Sequence, residues 1–198
     1  MGKMILILGG ARSGKSSFAE QKARELGGDA VLYVATSEAK DDEMRLRIEK
    51  HRSVRPASWQ TLEVPLHLVP AIQTCGSPAR VILVDCITFL VSNHLMAAAE
   101  PLGDPFDPPS ADPFNETIEA AVRADVRALA QHARQNDLTL LVVSNEVGMG
   151  LVPAYDLGRA YRDLLGRANQ DLASQADEVY LMVAGLPMFL KPLPSGSD

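Results

Sequence analysis

A glycine-rich segment near the amino terminus constrains the fold of this chain more than any other feature. It fits the pattern G-x-x-x-x-G-K-[ST] and directly follows an apolar run at residues 4–8. In such a loop, backbone N–H groups and a helix N-terminus face the phosphates of a nucleotide. Lys15 then reaches the β- and γ-phosphate oxygens, and the Ser16 hydroxyl ligates Mg²⁺. The residues of the loop are Gly9, Gly10, Ala11, Arg12, Ser13, Gly14, Lys15 and Ser16. The sequence predicts that they bind a nucleoside triphosphate; a glycine turn beside a solvated lysine is the alternative.

Length and composition limit the class of protein. A chain of 198 residues fits one domain, and its formal net charge of −6 disfavours a general nucleic-acid or anionic-membrane binder. No apolar stretch has the length of a membrane span, and the first strand begins too early for a signal peptide. Cys75 and Cys86 lack the C-x-x-C spacing, so we expect two reduced thiols, with Cys86 buried. These features predict a cytoplasmic protein.

Apolar strands alternate with helical segments along the chain. After the first strand, the patterns predict strands at residues 30–35, 81–85, 138–144 and 178–183, and helices at 16–26, 41–52, 115–135 and 157–172. This alternation is typical of an α/β fold with a mostly parallel sheet and helices on both faces, of the P-loop NTPase (RecA-like) kind. We expect one domain over residues 1–191, with a surface insert at 97–114 that contains five prolines and a flexible tail at 192–198.

The carboxyl ends of the parallel strands define the expected active site. Thr36, Asp85, Asn145 and Glu146 all lie at or just beyond such ends, as the glycine-rich loop does. Asp85 follows four apolar β-formers, as a Walker-B carboxylate that holds Mg²⁺ does, although an aspartate that opens a turn is the alternative. Asn145 and Glu146 either orient a water, a metal ion or a hydroxyl substrate, or form a turn before the following glycines.

A histidine in the charged segment 41–52 is a candidate nucleophile. Met44 and Ile48 precede His51 at helical spacing, so His51 continues the packed stripe of the predicted helix. Three basic side chains flank it: Lys50, Arg52 and Arg55. Such cations disfavour the imidazolium form and stabilise charge that develops on a phosphate, so a neutral imidazole could attack phosphorus. A histidine at a helix end is more often a packing or surface residue, and spacing alone leaves both interpretations open.

Three other side chains also have two interpretations each. Arg159 and Arg162 either clamp phosphates or form the solvated face of a helix. Trp59 either stacks on a ring system or closes the core. The remaining histidines are expected to be structural.

Taken together, the motifs resemble the bifunctional adenosylcobinamide kinase/adenosylcobinamide-phosphate guanylyltransferase family of cobalamin biosynthesis. The resemblance runs from Met4 to about Lys191, and it depends on the order and spacing of several short segments. These segments are residues 9–16, 33–36, 41–44, 85–86, 144–150, 157–159 and 169–170, and the run 47–63 with His51, Arg55, Pro56, Trp59, Thr61 and Glu63.

The resemblance implies two reactions on one scaffold. ATP or GTP phosphorylates a hydroxyl of adenosylcobinamide, and GTP then donates GMP to that phosphate and releases pyrophosphate. The guanylylated histidine of the family corresponds to His51, with Lys15 and Asp85 as further catalytic residues. Thr36 and Glu63 join the glycine-rich loop and Asp85 in nucleotide binding. The family also implies a homo-oligomer with an open groove for the corrinoid substrate.

Two positions depart from the family pattern. Lys50 stands where some relatives carry a second histidine, and Asp85 stands where some carry glutamate. The insert at 97–114 matches no family motif. Two other functions compete: a plain P-loop small-molecule kinase in which His51 is structural, and a nucleotide-dependent switch or motor component that acts on a macromolecule. The acidic charge and the absence of a basic stripe disfavour the switch or motor.

Overall fold

Seven strands form one mixed sheet in the computed structural model, which describes residues 2–37, 55–98 and 116–191. The elements of this part of the chain are β1 (Lys3–Gly9), α1 (Lys15–Gly27), β2 (Val31–Ala35), β3 (Gln60–Glu63), α2 (Leu68–Cys75), β4 (Val81–Asp85), α3 (Ile87–Ala98), α4 (Glu116–Gln135), β5 (Thr139–Asn145), α5 (Asp156–Gln175), β6 (Glu178–Val183) and β7 (Leu186–Lys191). The strand order is β3-β2-β4-β5-β1-β6-β7, and every neighbouring pair is parallel except β6–β7. The prediction of a mostly parallel α/β sheet is confirmed.

The central strands are apolar on both sides because helices cover both faces of the sheet. On one face, Met4 and Leu6 of β1 pack with apolar residues of α2, α3, α4 and α5. On the other face, Ile5 and Ile7 pack against α1. Trp59 belongs to this second cluster, and its Nε1 donates a hydrogen bond to the carbonyl oxygen of Gly28 at 3.0 Å. Of its two interpretations, Trp59 therefore takes the one in which it closes the core.

Four elements were not predicted from the sequence: β3, α2, α3 and β7. The helix α3 continues to Ala98, so residues 97 and 98, which we expected to begin the proline-rich loop, are helical. This helix lacks a polar stripe because much of it is buried, and the periodicity that reveals a surface helix is therefore weak. The predicted helix at 41–52, the rest of the insert, Asn115 and the tail at 192–198 lie outside the described residues. Among the described helices, none is long and apolar enough to cross a membrane.

Candidate functional site

The glycine-rich loop connects β1 to α1, as the motif predicts. Lys15 is the first residue of α1 and is largely buried, and its Nζ donates a hydrogen bond to the carbonyl oxygen of Gly10 at 2.9 Å. A side chain at Gly9 would come within 2.5 Å of Ser13 Oγ, and Gly14 has a φ of +92°. Both positions therefore require glycine. The Ser13 hydroxyl is buried without a hydrogen-bond partner in the described part of the chain.

The turn between β6 and β7 supports this loop from one side. Its two residues, Ala184 and Gly185, have φ angles of 51° and 82°, which are typical of a tight hairpin turn. The N–H of Gly185 donates a hydrogen bond to the carbonyl oxygen of Ser13 at 3.0 Å. A Cβ at Gly14 would lie 3.2 Å from the Cα of Gly185. The antiparallel edge strand, which the sequence did not predict, thus contributes to the shape of the phosphate-binding loop.

Asp85 ends β4 at the same edge of the sheet. The hydroxyl of Tyr33 donates a hydrogen bond to its Oδ2 at 2.9 Å. Burial, together with the neighbouring Asp85, raises the pKa of Tyr33 far above its ordinary value, so the phenol stays protonated and remains a donor. One oxygen of the carboxylate is thereby fixed. No sequence pattern indicated this role of Tyr33; its only signal was a hydroxyl group within an otherwise apolar strand.

A largely buried ion pair lies against the Tyr33 ring. The guanidinium carbon of Arg55 lies 3.4 Å from the ring centroid, a cation–π contact. Arg55 Nε lies 3.9 Å from Glu20 Oε1, and within the described residues neither atom has a hydrogen-bond partner. Burial raises the pKa of Glu20, while Arg55 lowers it and Asp85 raises it further. Glu20 on α1 thus interacts electrostatically with Arg55 and Asp85 around the Tyr33 ring. No sequence pattern indicated a role for Glu20.

Thr36 is fully buried, and its hydroxyl group is bonded within the protein. Its Oγ1 donates to the carbonyl oxygen of Cys86 at 2.6 Å and accepts from the N–H of Cys86 at 2.9 Å. The side chain of Asn93 on α3 donates to the carbonyl oxygen of Thr36 at 2.9 Å and to that of Pro65 at 3.1 Å. Thr36 therefore fixes the backbone that follows Asp85 against the end of β2.

The residues after β5 form a turn. Glu146 Oε1 accepts a hydrogen bond from the N–H of Gly148 at 2.7 Å, and its own N–H donates to the carbonyl oxygen of Gly9 at 3.0 Å. The carbonyl oxygen of Asn145 accepts from Asn169 Nδ2 at 3.0 Å. Glu146 thus belongs to a turn that is tied to the start of the phosphate-binding loop, whereas Asn145 is the last residue of β5.

Other predicted residues lie at the same edge or nearby. Glu63 ends β3, where it pairs in register with Ala35 of β2. Arg159 donates to Asp156 and to loop carbonyl oxygens, and Arg162 lies 3.3 Å from Asp163, so both have local partners on α5. His51 lies outside the described residues.

The fold and the loop define the class of this protein. A G-x-x-x-x-G-K-S loop connects β1 to α1, and an acidic residue ends β4. The strand β5 lies between β1 and β4. These are the features of a P-loop nucleoside-triphosphate-binding protein. Residues 5–190 match the family described as cobinamide kinase / cobinamide phosphate guanyltransferase. The chain belongs to this family, and it is therefore an enzyme of cobalamin biosynthesis.

Individual relatives agree with this assignment over nearly their whole length. The chain is 43% identical to the bifunctional adenosylcobalamin biosynthesis protein CobU of Escherichia coli (strain K12) over 190 residues, which are 95% of this chain and 99% of that protein. It is 44% identical to the protein of the same name from Salmonella typhimurium, with the same coverage. Among solved structures, a DnaB-like replicative helicase is similar with a TM-score of 0.50 and 15% identity, over 90% of this chain and 47% of that chain. At this identity, the likeness concerns the fold alone.

Proposed function

We propose that this enzyme phosphorylates adenosylcobinamide with a nucleoside triphosphate and then transfers GMP from GTP to the product through a guanylyl group on His51. The observation that carries the proposal is the family match, which includes the phosphate-binding loop and position 51 in one continuous segment. The products are adenosylcobinamide-GDP and pyrophosphate. ATP and GTP are substrates, and the corrinoid is the acceptor.

In the kinase reaction, the loop residues hold the triphosphate with their backbone N–H groups. Lys15, already inside the loop, would exchange its contact with Gly10 for phosphate oxygens and neutralise their charge. The hydroxyl of Ser16 and the carboxylate of Asp85 are oxygen donors of the kind that Mg²⁺ prefers, and bound Mg²⁺ would supply further charge neutralisation on the phosphates. Thr36 supports the site indirectly, because its hydroxyl group holds the backbone that follows Asp85. Glu63 lies at the same edge of the sheet and contacts the nucleotide.

In the guanylyl transfer, an imidazole nitrogen of His51 attacks the α-phosphorus of GTP. A P–N bond forms, the bond from that phosphorus to the bridging oxygen breaks, and pyrophosphate leaves with the electron pair. Lys15 and the loop N–H groups stabilise the negative charge on the leaving group. A phosphate oxygen of the phosphorylated corrinoid then attacks the same phosphorus, and the P–N bond breaks to release His51.

The proposal includes an assembly and a location. We propose a homo-oligomer whose copies leave an open groove for the large corrinoid. We place the reaction in the cytoplasm, where nucleoside triphosphates are available and thiols such as Cys75 and Cys86 stay reduced; both cysteines are free in the structure.

Incubation with Mg²⁺ and GTP that carries a label on its α-phosphate tests the covalent step. We expect denatured wild-type protein to retain the label and the variant His51→Asn to lose it, and peptide mapping should locate the label at position 51. His67→Asn is the matched control, because it is the same substitution at a histidine whose side chain is 75% exposed, and it should still be labelled. Equal labelling of wild type and His51→Asn would refute His51 as the nucleophile, and absence of label from the wild type would leave a plain kinase as the better description.

A further inference from the structure

The segment that follows β5 exposes large apolar side chains beside the phosphate-binding loop. Residues 147–155 carry no charged side chain. Four of them are strongly exposed: Met149 at 78%, Leu151 at 96%, Val152 at 66% and Tyr155 at 68%. Clusters of exposed apolar side chains commonly mark binding surfaces, so this segment requires an explanation that folding does not provide.

This exposure is not the result of a loosely held loop. At its start, the N–H of Glu146 donates to the carbonyl oxygen of Gly9. At its end, Arg159 Nη1 donates to the carbonyl oxygens of Pro153 and Ala154 at 3.1 and 2.8 Å. The polar backbone is therefore held on the protein, while the apolar side chains remain in solvent.

The position of the segment in the sheet gives it access to the reacting phosphates. The strand β5 lies between β4, which ends at Asp85, and β1, which leads into the phosphate-binding loop. Residues that leave β5 at its carboxyl end therefore emerge between the two strands that form the phosphate site. An acceptor that approaches a bound nucleotide from this direction would contact the segment.

From these observations we infer that residues 147–155 form the docking surface for the corrin macrocycle of the acceptor, a deeper assignment that rests on the proposed function. The macrocycle is large, has apolar faces and is edged by neutral amides, so an uncharged apolar surface complements it. The cationic loop complements the triphosphate instead. The two substrates are thus recognised by opposite chemistries on neighbouring loops. One loop neutralises phosphate charge, and the other removes apolar area from water.

The variant Leu151→Ser tests this inference in the kinase reaction with ATP. Because the side chain is 96% exposed, the substitution should leave folding unchanged. We expect the KM for adenosylcobinamide to rise about tenfold, because serine buries less apolar surface against the macrocycle than leucine does. The KM for ATP and kcat should stay within about twofold, because the contact is made equally in the ground and transition states. Leu26→Ser, at an exposed leucine near the far end of α1, is the matched control and should change none of these constants.

Two results would overturn the inference. An unchanged KM for adenosylcobinamide in Leu151→Ser would show that the corrinoid does not contact this segment. A lower oligomeric mass of the variant by light scattering would assign the segment to a contact between copies of the chain. Neither the KM for adenosylcobinamide in the kinase reaction nor the oligomeric mass depends on His51. Conversely, label transfer from GTP to His51 is measured without corrinoid and does not depend on the docking surface. Failure of the covalent step and failure of this docking surface are therefore distinguishable.

Discussion

Replacement of Thr36 by valine should lower the free energy of unfolding, although it changes the volume of the side chain very little. The hydroxyl of Thr36 satisfies both the N–H and the carbonyl oxygen of Cys86, at 2.9 and 2.6 Å. Thr36 has no exposed surface, and Cys86 is 7% exposed. In Thr36→Val, the N–H of Cys86 loses its partner and water has little access to it, while the carbonyl oxygen of Cys86 keeps a hydrogen bond from the N–H of Leu90 at 3.4 Å.

The magnitude follows from the number of groups left unpaired. A buried polar group without a hydrogen bond costs about 1–3 kcal/mol, and the N–H of Cys86 is such a group in Thr36→Val. The valine methyl group and small relaxations recover part of this, while the carbonyl oxygen of Cys86 loses its shorter hydrogen bond, so we expect a net loss of about 1–3 kcal/mol in the free energy of unfolding. The free energy of unfolding of a domain of this kind is about 5–15 kcal/mol. The loss should therefore be large enough to measure without preventing folding.

Urea unfolding followed by circular dichroism measures this loss. Thr74→Val is the matched control, because the hydroxyl of Thr74 also donates to a backbone carbonyl oxygen, that of Pro70 at 2.9 Å, but at an exposed position. It should change the free energy of unfolding by no more than about 0.5 kcal/mol. Thr36→Ser keeps the hydroxyl and should recover most of the stability. If Thr36→Val and Thr74→Val had the same free energy of unfolding, the assignment of Thr36 as a buried backbone support would be refuted.

Two further predictions concern other buried groups. Tyr33→Phe removes the donor to Asp85 but keeps the ring; because a hydrogen bond to a charged group contributes about 1.5–3 kcal/mol, we expect kcat of the kinase reaction to fall about tenfold or more. Tyr180→Phe, the same change at a tyrosine on β6 that also donates to a carboxylate, should keep kcat within about twofold, and equal rates for the two variants would contradict the role of Tyr33. Burial raises the pKa of Cys86 to about 11, so a thiol reagent at neutral pH should titrate only Cys75 in the native protein and both thiols after unfolding. Rapid reaction of two thiols in the native protein would show that Cys86 is accessible.

Local sequence patterns were sufficient for the elements that carry their own signal. The loop that ends in Lys15 is specified by glycine spacing, and the strands around it by short apolar runs. The edge of the sheet that contains Asp85 followed from the rule that parallel strands end together. The exposed β7 and the buried α3 lack these signals, because one has few buried residues and the other has no polar stripe.

The sequence by itself thus determined the fold class, the nucleotide loop and, through the resemblance, the family. Only the tertiary structure decided which side chains support the site. Tyr33 bonds Asp85, and Thr36 bonds Cys86, because the chain brings β4 alongside β2 with Ala35 opposite Asp85. These partners lie about fifty residues apart in the chain. Their contact depends on strand order and register, which are set by the packing of the whole sheet and not by any local pattern.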